Sequence, residues 1–154
     1  MHTRTDDRTP NHIIWVNDDH EWLRNQKDHI LSIGYGVEII PEVDVALEEI
    51  QRKKDILAGI ILDVMMNPGE TLSQRDHDQG LKTGLVVLEY LEELQILRKS
   101  RYPGLFIFTH RLDPDAARAI QEKGYGYHQK QDFLGTKIIK LVRDEFEQDD
   151  DDEQ

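Results

Sequence analysis

Short apolar runs and stretches of helical periodicity alternate along most of the chain. Val43, Ala46, Leu47 and Ile50 recur at the spacing of one helix face, whereas Ile60-Ile61-Leu62 is typical of a strand buried on both sides. The pattern predicts five strands, at 12–16, 37–40, 59–62, 105–108 and 126–129. It predicts five helices, at 21–32, 43–54, 81–98, 114–123 and from about residue 134 onward.

Turn and cap residues support the helix boundaries. Asp113-Pro114 has the preferred order of an N-cap followed by a proline in the first turn, and Gly124 ends that fourth helix. The apolar face of the third helix is predicted to consist of Leu81, Leu85, Leu88, Leu91 and Leu94. The last helix is marked by Leu134, Ile138, Leu141 and Val142. Because strands and helices alternate, we expect one doubly wound α/β domain with a parallel sheet covered on both faces.

Polar segments lie at both ends of this domain and once inside it. We expect a flexible leader at 1–11, a folded domain at 12–146 and a disordered acidic tail at 147–154. Inside the domain, the polar segment 67–80 follows the third strand. Long loops of this kind are usually functional or disordered, so a lid, a docking loop and a neutral insertion all remain open.

Composition excludes several classes of function. The net charge of −12 is concentrated at the C-terminus, since eight of the 31 acidic residues lie beyond position 143 and the other 23 face 19 basic residues. A body of this charge disfavours direct binding of nucleic acid. The chain has no cysteine, which excludes disulfides and thiolate sites, and no apolar run approaches the ~18 residues of a membrane span. A cytoplasmic protein is therefore expected.

Polar side chains follow several predicted strands where each strand ends. Asn17-Asp18-Asp19 follows the first strand, Asp63 the third, Thr109 the fourth and Lys130 the fifth. Carboxyl ends of parallel strands share one edge of a sheet, so these residues can converge. Oxygen ligands without histidine or cysteine favour Mg²⁺, and a lysine with a hydroxyl suits a phosphoryl group. The alternative is that Asp63 is a solvated cap of its strand.

With these residues in this order, the chain resembles the receiver domain of two-component response regulators. The resemblance covers about residues 12–146 and depends on Val16-Asn17-Asp18-Asp19, Leu62-Asp63-Val64-Met65-Met66, Phe108-Thr109 and Lys130. It implies the flavodoxin-like strand order 2-1-3-4-5. It also implies phosphorylation of Asp63 by phosphohistidine on a histidine kinase or a histidine phosphotransfer protein.

The resemblance assigns roles to the other site residues. Mg²⁺ would be bound by Asp18, Asp63 and the backbone carbonyl of Met65, and by Asn17 through water. Lys130 would pair with a phosphoryl oxygen.

A switch is implied as well. Thr109 would hydrogen-bond the phosphoryl group and move on activation, and the rotamer of Tyr127 would follow it. Such a protein is not a turnover enzyme, because it at most catalyses its own phosphorylation and dephosphorylation.

Four features depart from the family pattern. Asn17 stands where an acidic residue is usual, the bulky His110 can gate access to the site, and Gln131 replaces the proline after the lysine. Because glutamine follows Lys130, a cis peptide bond after the lysine is not expected. The position of the lysine side chain can therefore differ from that in the family. The 67–80 segment makes the spacing of 46 positions between Asp63 and Thr109 longer than usual.

Two functions follow from these observations. The first is a stand-alone receiver, or a phosphorelay intermediate, that signals to a downstream protein through its fourth helix, fifth strand and fifth helix. Neither nucleic acid nor a membrane is an expected partner, and a homodimer is an open alternative. The second is a non-phosphorylated pseudo-receiver that binds a protein partner through the extended loop.

Overall fold

The computed structural model describes residues 9–17, 20–78, 80–97, 102–111 and 113–147, with side chains from residue 23 onward in the first helix. Five strands form one sheet: β1 His12–Val16, β2 Gly36–Ile40, β3 Leu57–Leu62, β4 Gly104–Thr109 and β5 Gly126–Gln129. Five α-helices accompany them: α1 His20–Leu31, α2 Val43–Lys53, α3 Thr83–Glu93, α4 Pro114–Glu122 and α5 Lys137–Phe146. Most of the predicted leader and tail, at 1–8 and 148–154, lies outside the described residues.

The sheet is parallel throughout, with strand order β2-β1-β3-β4-β5. This order confirms the predicted doubly wound α/β fold and its flavodoxin-like topology. The central strand β3 is buried along all six residues, which explains why its sequence is apolar without alternation. None of the helices in the described ranges has the length and apolar character that a bilayer span requires.

Side chains of alternate strand positions feed two separate hydrophobic clusters. Ile14 and Ile60 pack on the face covered by α2, α3 and α4, whereas Trp15 and Ile61 pack on the face covered by α1 and α5. Gly59 and Gly104 are register partners on β3 and β4, and a Cβ at either position would collide with the ring of Phe146. The last turn of α5 therefore packs directly on the backbone of the sheet.

The third helix is shorter than predicted. It ends at Glu93, because Gln95 adopts a left-handed φ of 64° and the chain folds back. The backbone N–H of Ile96 then donates to Leu91, and Ile96 is buried against the core. The predicted leucine face is also partly wrong, since Leu81 and Leu94 are exposed. The true buried face consists of Thr83, Gly84, Val86, Val87, Leu88 and Leu91.

The last helix begins later than its apolar pattern predicted. Leu134 lies before α5 with half of its surface exposed. A short 3₁₀ helix at Lys130–Asp132 and a left-handed Gly135 with φ 62° separate β5 from α5. Leu134 therefore belongs to a connecting loop, and the apolar spacing from Leu134 to Ile138 was coincidental.

The 67–80 segment is fastened to the body of the domain at several points. The carboxylate of Asp44, in the first turn of α2, accepts hydrogen bonds from the backbone N–H groups of Glu70 (2.8 Å) and Thr71 (3.1 Å). Leu72 is fully buried in the core. Arg75 forms two hydrogen bonds with Glu93 and lies over the ring of Tyr90, and these contacts hold the end of the segment.

We expect Asp44→Asn to loosen this segment without unfolding the domain, because a neutral amide is a weaker acceptor for two backbone donors. Hydrogen exchange at Glu70 and Thr71 should accelerate about tenfold, which corresponds to about 1.4 kcal/mol of local opening free energy. Asp115→Asn is the matched control, since Asp115 occupies the same first-turn position in α4. Equal protection in both variants would contradict the anchoring role of Asp44.

The same contact predicts a pH dependence of local stability. The Glu70 N–H that donates to Asp44 lowers the pKa of its carboxyl group. A lowered pKa in the folded state means that the anchor is complete above the unfolded pKa of about 3.9. It is lost as the pH falls through the lower folded-state pKa, and exchange at Glu70 measured against pH should show this loss.

Candidate functional site

Four of the predicted site residues lie at the carboxyl edge of the sheet. Asn17 follows β1, Asp63 follows β3, Thr109 ends β4 and Lys130 follows β5. The N–H of Asp63 still donates to the carbonyl of Val16, so its backbone is held by the neighbouring strand. The parallel register therefore brings together residues that are up to 113 positions apart in the sequence.

The carboxylate of Asp63 is bound by two internal donors. Lys130 Nζ lies 3.0 Å from Asp63 Oδ2, and Asn17 Nδ2 donates to the same oxygen at 3.1 Å. The other oxygen, Oδ1, accepts a long hydrogen bond of 3.4 Å from the N–H of Met65. Only 12% of the Asp63 side chain and 1% of the Lys130 side chain are exposed. Asp63 is thus part of a buried ion pair and is not the solvated cap of the alternative interpretation.

Lys130 reaches Asp63 although glutamine follows it. Among the described residues the one cis peptide is Tyr102–Pro103, so the bond after Lys130 is trans, as the sequence predicted. The lysine begins the 3₁₀ helix, and this turn directs its side chain over the end of β4 toward β3. The proline of the family pattern is therefore not required for this contact.

The loop after β4 is held by Thr109 and Tyr127. Thr109 is buried, and its hydroxyl oxygen lies 3.4 Å from the N–H of Arg111, which donates to it. The hydroxyl of Tyr127 accepts from the N–H of Asp113 at 3.2 Å and donates to the carbonyl of Arg111 at 3.3 Å. Burial raises the pKa of Tyr127. The phenol therefore stays protonated and can keep both hydrogen bonds at neutral pH.

His110 and Gln131 connect this loop to the lysine segment. His110 is exposed, and its backbone carbonyl accepts a 3.1 Å hydrogen bond from Gln131 Nε2. Two of the departures from the family pattern thus interact with each other, and the gating role of His110 stays a prediction.

The oxygen groups at this edge suit a hard divalent cation. Asp63 contributes a carboxylate, Asn17 an amide oxygen and Met65 a backbone carbonyl, which are ligand types that Mg²⁺ prefers. Asp18, the predicted second carboxylate, lies outside the described residues. Within the described ranges no group of three acidic, histidine or cysteine side chains forms a metal cluster. The donor chemistry of these oxygen groups fits Mg²⁺, and the ligand role of Asp18 stays a prediction.

Sequence reasoning missed two residues that shape this edge. A Cβ on Gly84 would collide with the carbonyl oxygen of Asp63, and the Gly84 N–H donates to Val64 at 2.9 Å. The hydroxyl of Thr83 donates to the carbonyl of Met66 at 2.5 Å. The first turn of α3 is therefore packed against the backbone that carries Asp63. The sequence signal that could have revealed this packing is Gly84 itself, because a glycine inside a predicted helix is otherwise unfavourable.

Comparison with known proteins gives structural neighbours alone. No protein-family profile and no curated protein sequence matches the chain. The signal receiver domain of a LuxO repressor protein from Vibrio parahaemolyticus superposes with a TM-score of 0.64 at 19% identity, covering 86% of this chain and 85% of that one. The beryllofluoride-activated receiver domain of RstA from Klebsiella pneumoniae gives 0.61 at 19% identity, over 86% and 94%. The activated NtrC4 receiver domain dimer gives 0.64 at 16% identity, over 89% and 97%.

The chain has the receiver-domain fold. The likeness extends over nearly the whole described domain and includes the sheet order deduced above. Within this fold, the long connection between β3 and α3 is held by the buried side chain of Leu72 and by backbone hydrogen bonds to the Asp44 carboxylate. The roles of individual residues remain predictions.

We expect Asp63→Ala to destabilise the protein by about 3 kcal/mol, because it leaves the buried ammonium of Lys130 without its carboxylate partner. The double variant Asp63→Ala/Lys130→Met should recover most of this loss, since it removes both charges. Urea unfolding followed by circular dichroism measures the free energies. Asp132→Ala, in the exposed part of the same turn, is the control. A loss below 0.5 kcal/mol for Asp63→Ala would contradict a buried pair.

Proposed function

We propose that the protein is a response-regulator receiver that accepts a phosphoryl group on Asp63 in a Mg²⁺-dependent reaction. The observation that carries this proposal is the buried Lys130 ammonium, 3.0 Å from the Asp63 carboxylate, at the carboxyl edge of a sheet with the receiver topology. A lysine in this position neutralises a carboxylate that is about to acquire further negative charge.

The proposed reaction is a phosphoryl transfer from phosphohistidine. A carboxylate oxygen of Asp63 attacks phosphorus, an O–P bond forms, and the P–N bond to the donor imidazole breaks. The imidazole leaves with the bonding electron pair and takes up a proton. Mg²⁺ held by Asp18, Asp63 and the Met65 carbonyl would supply charge stabilisation for the phosphoryl oxygens. Lys130 exchanges its hydrogen bond with Asp63 for one with a phosphoryl oxygen.

Of the two Asp63 oxygens, Oδ1 is the better placed nucleophile. Oδ2 accepts both short hydrogen bonds, from Lys130 and Asn17, whereas Oδ1 accepts only the longer contact from the Met65 N–H among the contacts described. Attack through Oδ1 lets the Lys130 ammonium stay on the far oxygen until the phosphoryl group arrives.

Signal output follows from the loop after β4. Thr109 donates a hydrogen bond from its hydroxyl to the new phosphoryl group, and the backbone groups of Arg111 and Asp113 move with it. This motion breaks the two hydrogen bonds of the Tyr127 hydroxyl and repositions its ring. The α4-β5-α5 surface then binds a downstream protein or a second copy of the chain. A histidine kinase or a phosphotransfer protein is the phosphodonor.

A pseudo-receiver is the second candidate, and Asn17 is the observation that favours it. Its amide donates to Asp63 Oδ2 at 3.1 Å, beside the Lys130 ammonium, so internal groups alone satisfy this oxygen of the carboxylate. In this case Asp63 is a structural partner of Lys130, and the fastened 67–80 segment is the binding surface for a protein partner.

Acetyl phosphate distinguishes the two candidates. With Mg²⁺ present, the wild-type protein should gain the mass of one phosphoryl group, and Asp63→Asn should gain none because an amide oxygen is a poor nucleophile. Intact-protein mass spectrometry after quenching measures the label. Asp132→Asn is the matched control, since Asp132 is an exposed aspartate two residues from Lys130.

Dependence on the cation is tested in the same assay. Removing Mg²⁺ with EDTA should abolish labelling of the wild type and of the Asp132 variant. If the wild type stays unlabelled under conditions that label another receiver, phosphorylation is excluded and the pseudo-receiver function remains.

A further inference from the structure

Gln26 is a buried polar residue that none of the proposed roles explains. Its side chain lies on α1, where Leu23 and Ile30 enter the core, and 3% of the residue is exposed. Gln26 Nε2 donates to the carbonyl of Phe133 at 2.6 Å, and Gln26 Oε1 accepts from the N–H of Gly135 at 3.0 Å. Both ends of one amide are therefore bound to the segment between β5 and α5.

This segment begins with Lys130. The 3₁₀ helix at Lys130–Asp132 is closed by a hydrogen bond from the Phe133 N–H to the Lys130 carbonyl at 3.1 Å. Phe133 is at the same time the residue whose carbonyl Gln26 binds. Only this closed turn separates the Gln26 amide from the backbone of the lysine.

Lys130 needs a fixed backbone because its side chain spans the end of β4. Strands β5 and β3 are two interstrand spacings apart, roughly 9.5 Å, so the Lys130 and Asp63 side chains must together bridge this distance, and the lysine must be extended. Gln131 places no covalent constraint on the backbone torsions, unlike a proline. A rotation of the turn would move the ammonium out of hydrogen-bond distance.

We infer that Gln26 is a positioning residue for Lys130: it clamps the turn after β5 onto α1 and thereby holds the ammonium against Asp63. The kinetic part of this inference depends on the proposed phosphoacceptor function, whereas the geometric part does not. Two measurements on the full chain separate them.

The first measurement observes the ammonium in the resting protein. A buried, hydrogen-bonded lysine ammonium exchanges slowly enough to give its own nitrogen-15 NMR signal, which is assigned by its loss in Lys130→Met. In Gln26→Met the Lys130 signal should broaden or shift toward that of a solvated lysine. Gln51→Met is the matched control, because within the described part of the chain the amide of Gln51 binds the Leu47 carbonyl of its own helix and no other element.

The second measurement is a double-mutant cycle on the phosphorylation rate. Gln26→Met should slow labelling by acetyl phosphate about tenfold, since small displacements of a positioned group have effects of this size or larger. In the Lys130→Met background the same substitution should change the rate less than twofold. If Gln26 acts only through Lys130, its substitution cannot slow labelling further once Lys130 is absent.

The two measurements decide the geometric part and the kinetic part of the inference separately. An unchanged Lys130 signal in Gln26→Met overturns the inference, as does an equal slowing in the presence and absence of Lys130. If the wild type is not labelled at all, the phosphoacceptor proposal fails, and the NMR signal alone decides whether Gln26 positions the lysine. Urea unfolding of each variant before the assays identifies any that fail to fold, and the NMR comparison is then made with Gln26→Leu.

Discussion

The buried ion pair between Lys130 and Asp63 is the interaction on which the rest of this edge depends. A charged pair with almost no exposure costs desolvation free energy, and it persists only when neighbouring groups fix both partners. Asn17 supplies a further donor to the carboxylate. On the other side, the 3₁₀ turn and Gln26 hold the lysine. The site is therefore a network in which each polar group has a structural partner before any ligand binds.

The same network explains how residues that depart from the receiver pattern, such as Gln131, are compatible with the site. Gln131 replaces a proline, and its side chain binds the carbonyl of His110. The loop after β4 is thus connected to the lysine segment by Gln131 and to β5 by the Tyr127 hydroxyl. Under the proposed function, phosphorylation of Asp63 acts on both connections, since Lys130 contacts the carboxylate and Thr109 ends the neighbouring strand β4.

The extended segment after β3 is an integral part of the domain. Its polar composition leaves a lid, a docking loop and a neutral insertion open. Leu72 is buried and Asp44 binds two of its backbone N–H groups, so much of the segment is fastened at the α2 and α3 side. A hinged lid would have to break these contacts, which makes a fixed surface the better description.

The sequence by itself determined the order of the elements and the set of residues at the carboxyl edge, because periodicity and strand-end position are local properties. The strand order of the sheet was implied only by the resemblance to receiver domains. The same reasoning failed for the end of α3 and for Leu134, where Gln95 and Gly135 adopt left-handed conformations that the apolar spacing does not reveal. Only the tertiary structure decided that Asp63 pairs with Lys130, that Gln26 clamps the turn and that Leu72 joins the core. The hydrogen bonds among them link residues 67 to 109 positions apart, and the burial of Leu72 depends on the packing of whole helices, so no local pattern encodes these contacts.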